Sequence, residues 1–166
     1  MSDAIAQLNL VDREQFVEVL GTLFEHTPEI ARKVWNYRPF ADAATLHQKM
    51  VEVVSKMSID EQLALIRAHP DLGSKASMAE DSVKEQAGLG LDRLNPQEYD
   101  YFQRINQAYK DKFGFPFIIA VKNQTKDSIL EAFERRLKNT MEAEIASAIA
   151  EINKIALFRL LNLVEK

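Results

Sequence analysis

The residues best suited to moving protons gather between positions 69 and 86. His69 stands immediately before Pro70. A proline ring disfavours helical backbone at the residue it follows, so the imidazole is expected at a helix end, facing a loop. Histidine exchanges a proton near neutral pH, which makes it the first candidate for an acid or base. A helix is expected to restart near Ser82, bringing Ser82, Glu85 and Gln86 onto one turn as hydroxyl, carboxylate and carboxamide. An imidazole opposite such a turn suits proton transfer on a small polar ligand. Each residue also has a plainer reading: Ser82 as an N-cap, Glu85 and Gln86 as a solvated face, Asp71 as the cap of a structural turn. His26 and His47 lie on helical patterns rich in charge and read as structural or exposed.

Two other stretches invite chemistry. The run Phe113-Gly114-Phe115-Pro116-Phe117-Ile118-Ile119-Ala120-Val121 is the one extended-looking segment, and no good partner strand appears elsewhere. A lone extended segment buried among helices leaves backbone N–H and C=O groups in need of partners. A ligand is one such partner; aromatic core packing is the plainer reading of the rings. Arg159 interrupts an apolar helix face beside Phe158 and Leu160. Its head either reaches solvent along its apolar stem or is a buried cation matched to an anionic substrate.

The elements that must position these groups read as helices throughout. Glycine and proline are scarce, and apolar residues recur at helical spacing. The pattern from Asp12 to Glu25 carries Phe16, Val17, Leu20, Leu23 and Phe24. Pro28 suits the first turn of a second helix, which Arg38-Pro39-Phe40 ends. A third begins at Asp42 or Ala43 and carries Leu46, Met50, Val53, Val54 and Met57. Ser58 and Glu61 form a capping box for the helix that stops at His69-Pro70. Gly88 suits a helix end after the Ser82–Ala87 turn. Asn95-Pro96-Gln97-Glu98 is a second strong start signal, for a helix running to Gly114. Thr125 caps the next, with Ile129, Leu130, Phe133 and Leu137. A long last pattern runs from Met141 to about Val164, with Asn139 as the break before it. The expectation is an all-α fold, a single compact domain over residues 1–166, with about seven to nine helices and one short extended segment near 115–121.

Composition narrows the function. The 166 residues include no cysteine, which removes disulfides, thiolate nucleophiles and cysteine-based metal sites and fits a reducing compartment. The formal net charge of −4 with both signs interspersed shows no basic stripe for nucleic acid. No apolar run approaches membrane-spanning length. Met1-Ser2-Asp3-Ala4 lacks the pattern of a secretory signal, and a cytoplasmic protein is expected.

A combination of these motifs carries a resemblance. His69-Pro70-Asp71-Leu72, Ser82-x-x-Glu85-Gln86, Ala87-Gly88-Leu89, Phe102-x-x-x-Asn106-x-x-Tyr109, Lys112-Phe113-Gly114-Phe115-Pro116-Phe117-Ile118 and Lys154-Ile155-Ala156-x-x-Arg159-Leu160 together resemble 2-oxo-4-hydroxy-4-carboxy-5-ureidoimidazoline (OHCU) decarboxylases. Phe24-Glu25-His26 and Arg38-Pro39-Phe40 match the same family. Its members make (S)-allantoin in urate and purine catabolism. The resemblance implies an all-helical, cofactor-independent homodimer with no metal. It implies His69 as the catalytic residue, and Glu85, opposite it on the Ser82–Gln86 turn, is expected to share the catalytic work by holding His69 or the ring nitrogens. Pro70, Ser82, Val83, Lys84, Glu85, Gln86, the backbone of Phe117, Ile118, Ile119, Ala120 and Val121, and Arg159 would bind substrate. The expected partner is the ureidoimidazoline itself, not nucleic acid or membrane. The reading from another class is a non-catalytic helical module that binds a partner through an exposed Phe113–Phe117 surface.

Overall fold

Eight α-helices and no strand occur among the residues that the computed structural model describes, 2–69 and 95–164. They are α1 (Ser2–Leu8), α2 (Arg13–Leu20), α3 (Glu29–Val34), α4 (Ala43–Ser55), α5 (Ile59–Arg67), α6 (Pro96–Phe113), α7 (Lys126–Arg136) and α8 (Met141–Val164). A 3-10 turn, Trp35–Tyr37, follows α3. The all-α expectation therefore holds.

Capping side chains set most of the starts. Asp42 accepts from the Thr45 amide at 2.8 Å and opens α4. The Ser58 hydroxyl accepts from the Glu61 amide at 3.1 Å while the Ser58 N–H donates to the Glu61 carboxylate at 3.0 Å. That reciprocal box opens α5 and holds the Glu61 carboxyl below its ordinary range. Asn95 and Glu98 repeat the device at α6, with Pro96 in the first turn. Thr125 and Ser128 do so at α7.

Two boundaries differ from the periodicity. The apolar pattern continues to Glu25, yet α2 ends at Leu20 and Gly21 caps it. A Cβ on Gly21 would lie 2.5 Å from the Val17 carbonyl oxygen and 3.3 Å from the Pro28 Cβ, so a side chain there would clash with the end of α2 itself and crowd Pro28. Pro28 is accordingly the residue before α3 rather than its first turn. His26 lies in that turn with φ of 49°, not on a helix. The second element beyond the periodicity is α1, which offers little apolar pattern to read; Ile5 and Leu8 are its buried residues.

The chain divides into two compact units, residues 1–65 with 153–166, and residues 66–152. In the first, α3 packs on α2 and on α4, burying Phe16, Leu20, Ile30, Val34, Leu46, Met50 and Val54. Each such side chain contributes about 1.5–3 kcal/mol by leaving water. Phe16 stacks on Phe40 with ring centroids 6.2 Å apart.

In the second unit the aromatic rings collect around Tyr109 of α6. Its centroid lies 4.6 Å from Phe113, 5.9 Å from Phe115, 5.3 Å from Phe117 and 6.3 Å from Phe133. Phe117 and Phe133 stack at 3.7 Å. The edge-on arrangement of Tyr109 against Phe115, Phe117 and Phe133 suits the ring quadrupoles. Gly114 ends α6 in the left-handed conformation at φ of 78°, the usual glycine exit from a helix. The chain then runs irregularly from residue 115 to Thr125.

Candidate active site

His69 sits where the proline rule puts it. Helix α5 ends at Arg67, and the His69 N–H donates to the Ile66 carbonyl at 3.2 Å in a last tight turn. The residue is only 8% exposed, so its imidazole is withdrawn from bulk solvent in the second unit. Two residues earlier, Arg67 donates from Nε to the Gly114 carbonyl at 3.1 Å. That contact ties the end of α5 to the start of the irregular run. Pro70 and the turn Ser82, Val83, Lys84, Glu85 and Gln86 lie outside the described residues.

The run itself is buried. Phe115, Phe117, Ile118, Ile119 and Ala120 are all in the core, as is Phe113, and Val121 is half-buried. The reading of Phe113–Phe117 as an exposed docking surface therefore loses its surface. Side chains from two helices hold the backbone. Arg136 of α7 donates from Nη1 to the Ile118 carbonyl at 2.6 Å, and Glu151 of α8 accepts the Ala120 N–H at 3.0 Å. Of the amides expected to serve a ligand, that of Ala120 is thus already engaged.

Arg136 is held in turn. Its Nε donates to Glu144 at 2.8 Å, in an ion pair buried on both sides. The same carboxylate accepts from Asn139 at 2.8 Å and from the Tyr109 hydroxyl. Three donors on one buried carboxylate offset the cost of removing it from water. Burial, and secondarily the hydrogen bond to Glu144, push the Tyr109 phenol well above its ordinary value; the Arg136 charge pulls the other way. The phenol is therefore a fixed neutral donor. The Arg136 guanidinium carbon lies 4.4 Å from the Phe117 ring centroid, and a cation over a ring face is attracted by its quadrupole.

Arg159 is buried in the first unit, so its head does not reach solvent. Its Nη1 lies 3.6 Å from the fully buried Glu25 carboxylate and 3.4 Å from the carbonyl oxygens of Thr22 and Leu23. His47, on α4, shares a 2.8 Å hydrogen bond between Nε2 and the Asn153 carbonyl, which makes it a structural residue. Tyr109, Arg136, Glu144 and Glu151 were not anticipated as neighbours of the run. A signal existed for two of them. Arg136 continues the apolar stripe Ile129, Ala132, Phe133 of α7, and Glu144 that of Ala148 and Ile152 in α8. Charged residues on a buried stripe point to a partner.

The model of the OHCU decarboxylase family matches residues 9–161. A 2-oxo-4-hydroxy-4-carboxy-5-ureidoimidazoline decarboxylase from Halalkalicoccus jeotgali is 43% identical over 156 residues, 94% of this chain and 89% of that protein. A bifunctional uric acid degradation protein, PucL from Bacillus subtilis, is also 43% identical, over 95% of this chain but 32% of its own length. Among solved structures, an (S)-allantoin synthase superposes with a TM-score of 0.78 at 30% identity, over 96% of this chain and 53% of that one. A match over nearly all the residues that build both units, at this identity, settles the kinship: the chain belongs to the OHCU decarboxylase family.

Proposed function

We propose that residues 1–166 act as one decarboxylase domain that converts OHCU to (S)-allantoin, with His69 as the acid/base. The single observation that carries this reading is the family match over residues 9–161. The substrate carries hydroxyl and carboxylate on one ring carbon, beside a ring C=N. When the bond to the carboxylate breaks, its electron pair forms a carbon–carbon double bond and the imine nitrogen takes up charge and a proton. The hydroxyl is then an enol; it loses its proton to become the ring carbonyl, and the neighbouring carbon is protonated on one face. Carbon dioxide and allantoin result, with one proton taken up overall from the carboxylate form. The electron sink is thus the substrate's own imine, and the protein's work is positioning and proton management.

His69 takes the hydroxyl proton in this scheme, and its withdrawal from solvent keeps that proton from exchanging freely. Glu85 orients His69 or the ring nitrogens, while Ser82 and Gln86 hold the ureido group and Pro70, Val83 and Lys84 complete that side. These roles, and that of Arg159 toward the substrate, rest on the resemblance. The backbone of Phe117, Ile118, Ile119 and Val121 supplies further contacts. A homodimer working in the cytoplasm completes the proposal. No helix among the described residues is long and apolar enough to cross a membrane.

The test follows (S)-allantoin by circular dichroism from freshly generated OHCU, which also decays unaided. The expected result is faster formation of one enantiomer. A rate and handedness equal to the uncatalysed reaction would end the reading. His69→Ala should lose about 10²–10⁴-fold in rate, the ordinary worth of a positioned acid or base, with an unchanged melting temperature. A variant within twofold of the parent would remove His69 from the chemistry.

A further inference from the structure

Arg136 and Glu151 grip the run on either side of one residue. Ile118 and Ile119 share a peptide plane, and so do Ile119 and Ala120. The only cis bond among the described residues is Arg38-Pro39, so both planes are trans. In a trans plane the C=O and N–H point in opposite directions. Arg136 fixes the Ile118 carbonyl at 2.6 Å, which turns the Ile119 N–H away from Arg136. Glu151 fixes the Ala120 N–H at 3.0 Å, which turns the Ile119 carbonyl away from Glu151. Both orientations of Ile119 are thus set from outside the residue. Its own N–H and C=O have no hydrogen-bond partner among the described residues, although the residue is only 8% exposed.

The grip is more elaborate than stability needs. An apolar side chain at 136 would spare the molecule a buried charge, and replacing a buried ion pair by hydrophobic residues is often neutral or stabilising. What an apolar residue lacks is the means to fix a carbonyl. Here the guanidinium is oriented by Glu144, and Glu144 by Tyr109 and Asn139, so four side chains converge on one peptide plane.

We infer that Arg136 and Glu151 are positioning residues that hold the peptide planes on either side of Ile119, preorganising its N–H and C=O as a donor–acceptor pair for the urea or amide groups of the ligand. This rests on the proposed decarboxylase reading for the ligand's identity, and on geometry alone for the clamp. Each role predicts a particular rescue. Glu151 serves as an acceptor, so Glu151→Gln keeps the function and Glu151→Ala loses it. Arg136 serves as a fork that reaches Glu144 and Ile118 together, so Arg136→Lys restores it only in part.

The experiment compares the parent, E151A, E151Q, R136K and R136M, with I129V as a core control on α7. Binding of (S)-allantoin and KM are measured at a temperature where all are folded, and amide exchange of Ile119 and Ala120 is read by NMR without ligand. Glu151 is only half-buried on a long helix, so its variants keep the fold even if R136M does not. E151A should bind allantoin about tenfold more weakly, as a loss of preorganisation predicts, while E151Q and I129V stay within about threefold. The Ala120 amide, whose acceptor is Glu151, should exchange faster in E151A than in the parent or E151Q, and the Ile119 amide, on the plane that Arg136 holds, faster in R136M, with R136K between. Parent-like binding in E151A, equal losses in E151Q and E151A, or an equal loss in I129V would overturn the assignment. Unchanged Ala120 exchange in E151A, or unchanged Ile119 exchange in R136M, would overturn it without reference to any ligand. A parent that neither binds allantoin nor forms it would instead overturn the decarboxylase reading and the ligand half of this one, and the exchange data would still judge the clamp.

Discussion

Two irregular stretches, one in each unit, are held by an arginine in nearly the same way and to different degrees of completion. In the first unit Arg38 lies 4.2 Å from the Trp35 ring centroid. It donates to the carbonyls of Trp35 at 3.2 Å, Asn9 at 3.1 Å and Val11 at 2.5 Å. The Asn9 side chain then exchanges two hydrogen bonds with the Phe40 backbone, at 2.9 and 2.8 Å. In the second unit Arg136 covers the Phe117 ring and takes one carbonyl, and Glu151 takes one amide. The first stretch is closed on itself by its own side chains. In the second, the side chains stop on either side of Ile119. Backbone satisfaction is close to obligatory in protein interiors, so the difference lies in the two backbone groups of Ile119, on which the inferred ligand contact rests.

The two arginines also differ in counter-charge, and that gives the largest expected effect. Arg38 is half-buried and has no ion-pair partner among the described residues, so water screens it. Arg136 is buried and answered by Glu144. Glu144→Ala should strand a buried cation and cost about 3–5 kcal/mol of stability. Arg38→Met loses hydrogen bonds to neutral carbonyls and should cost about 1–2 kcal/mol. Urea unfolding of both variants measures the contrast. Equal losses would show that the two arginines do the same work and would break the comparison.

How much of this could be read in the sequence follows the range of the interaction. Caps are local, so Asp42, Ser58 with Glu61, Asn95 with Glu98, and Thr125 were all legible from residues within three positions. The withdrawal of His69 from helical geometry was equally local, set by Pro70. The extended run was legible as an anomaly, because its length and proline fit no helix and no second strand was available. Its partners were not, since Arg136, Glu144 and Glu151 lie on two later helices and meet the run only through the fold. The early end of α2 was hidden because the apolar spacing runs on past Leu20, while Gly21 turns against the Val17 carbonyl oxygen of its own helix. Glu85 and its neighbours on the Ser82–Gln86 turn lie outside the described residues and rest on the resemblance.

A smaller effect sharpens the comparison by probing how Glu144 is held. Tyr109→Phe removes one of three donors to that carboxylate and leaves the ring packing in place, so about 1–2 kcal/mol should be lost near neutral pH. The pH dependence identifies the cause. The folded state raises the phenol's pKa, so the unfolded chain releases this proton first. The stability held by the neutral phenol is then complete below about pH 10 and is lost as the pH rises beyond it. The gap between parent and Tyr109→Phe should narrow from pH 8 to pH 10.5, as read from urea midpoints at both. A constant gap would show that the hydroxyl contributes packing alone.

The smallest expected effect separates the stability of the run's surroundings from its alignment. Thr125 opens α7, the helix that carries Phe133 and Arg136 to the run, by accepting the Ser128 amide at 3.0 Å while Ser128 returns a bond to the Thr125 N–H at 2.8 Å. Thr125→Ala removes that cap and should cost about 1 kcal/mol. The loss falls at an exposed helix end, eleven residues before Arg136 by the numbering, so the hydrogen bond to Ile118 is untouched. Thermal unfolding should register the change while KM and allantoin affinity hold at parental values. A matching loss of affinity would mean that the run is aligned by the general firmness of α7, and the distinction between a closed seam and a prepared site would lose its footing in Arg136.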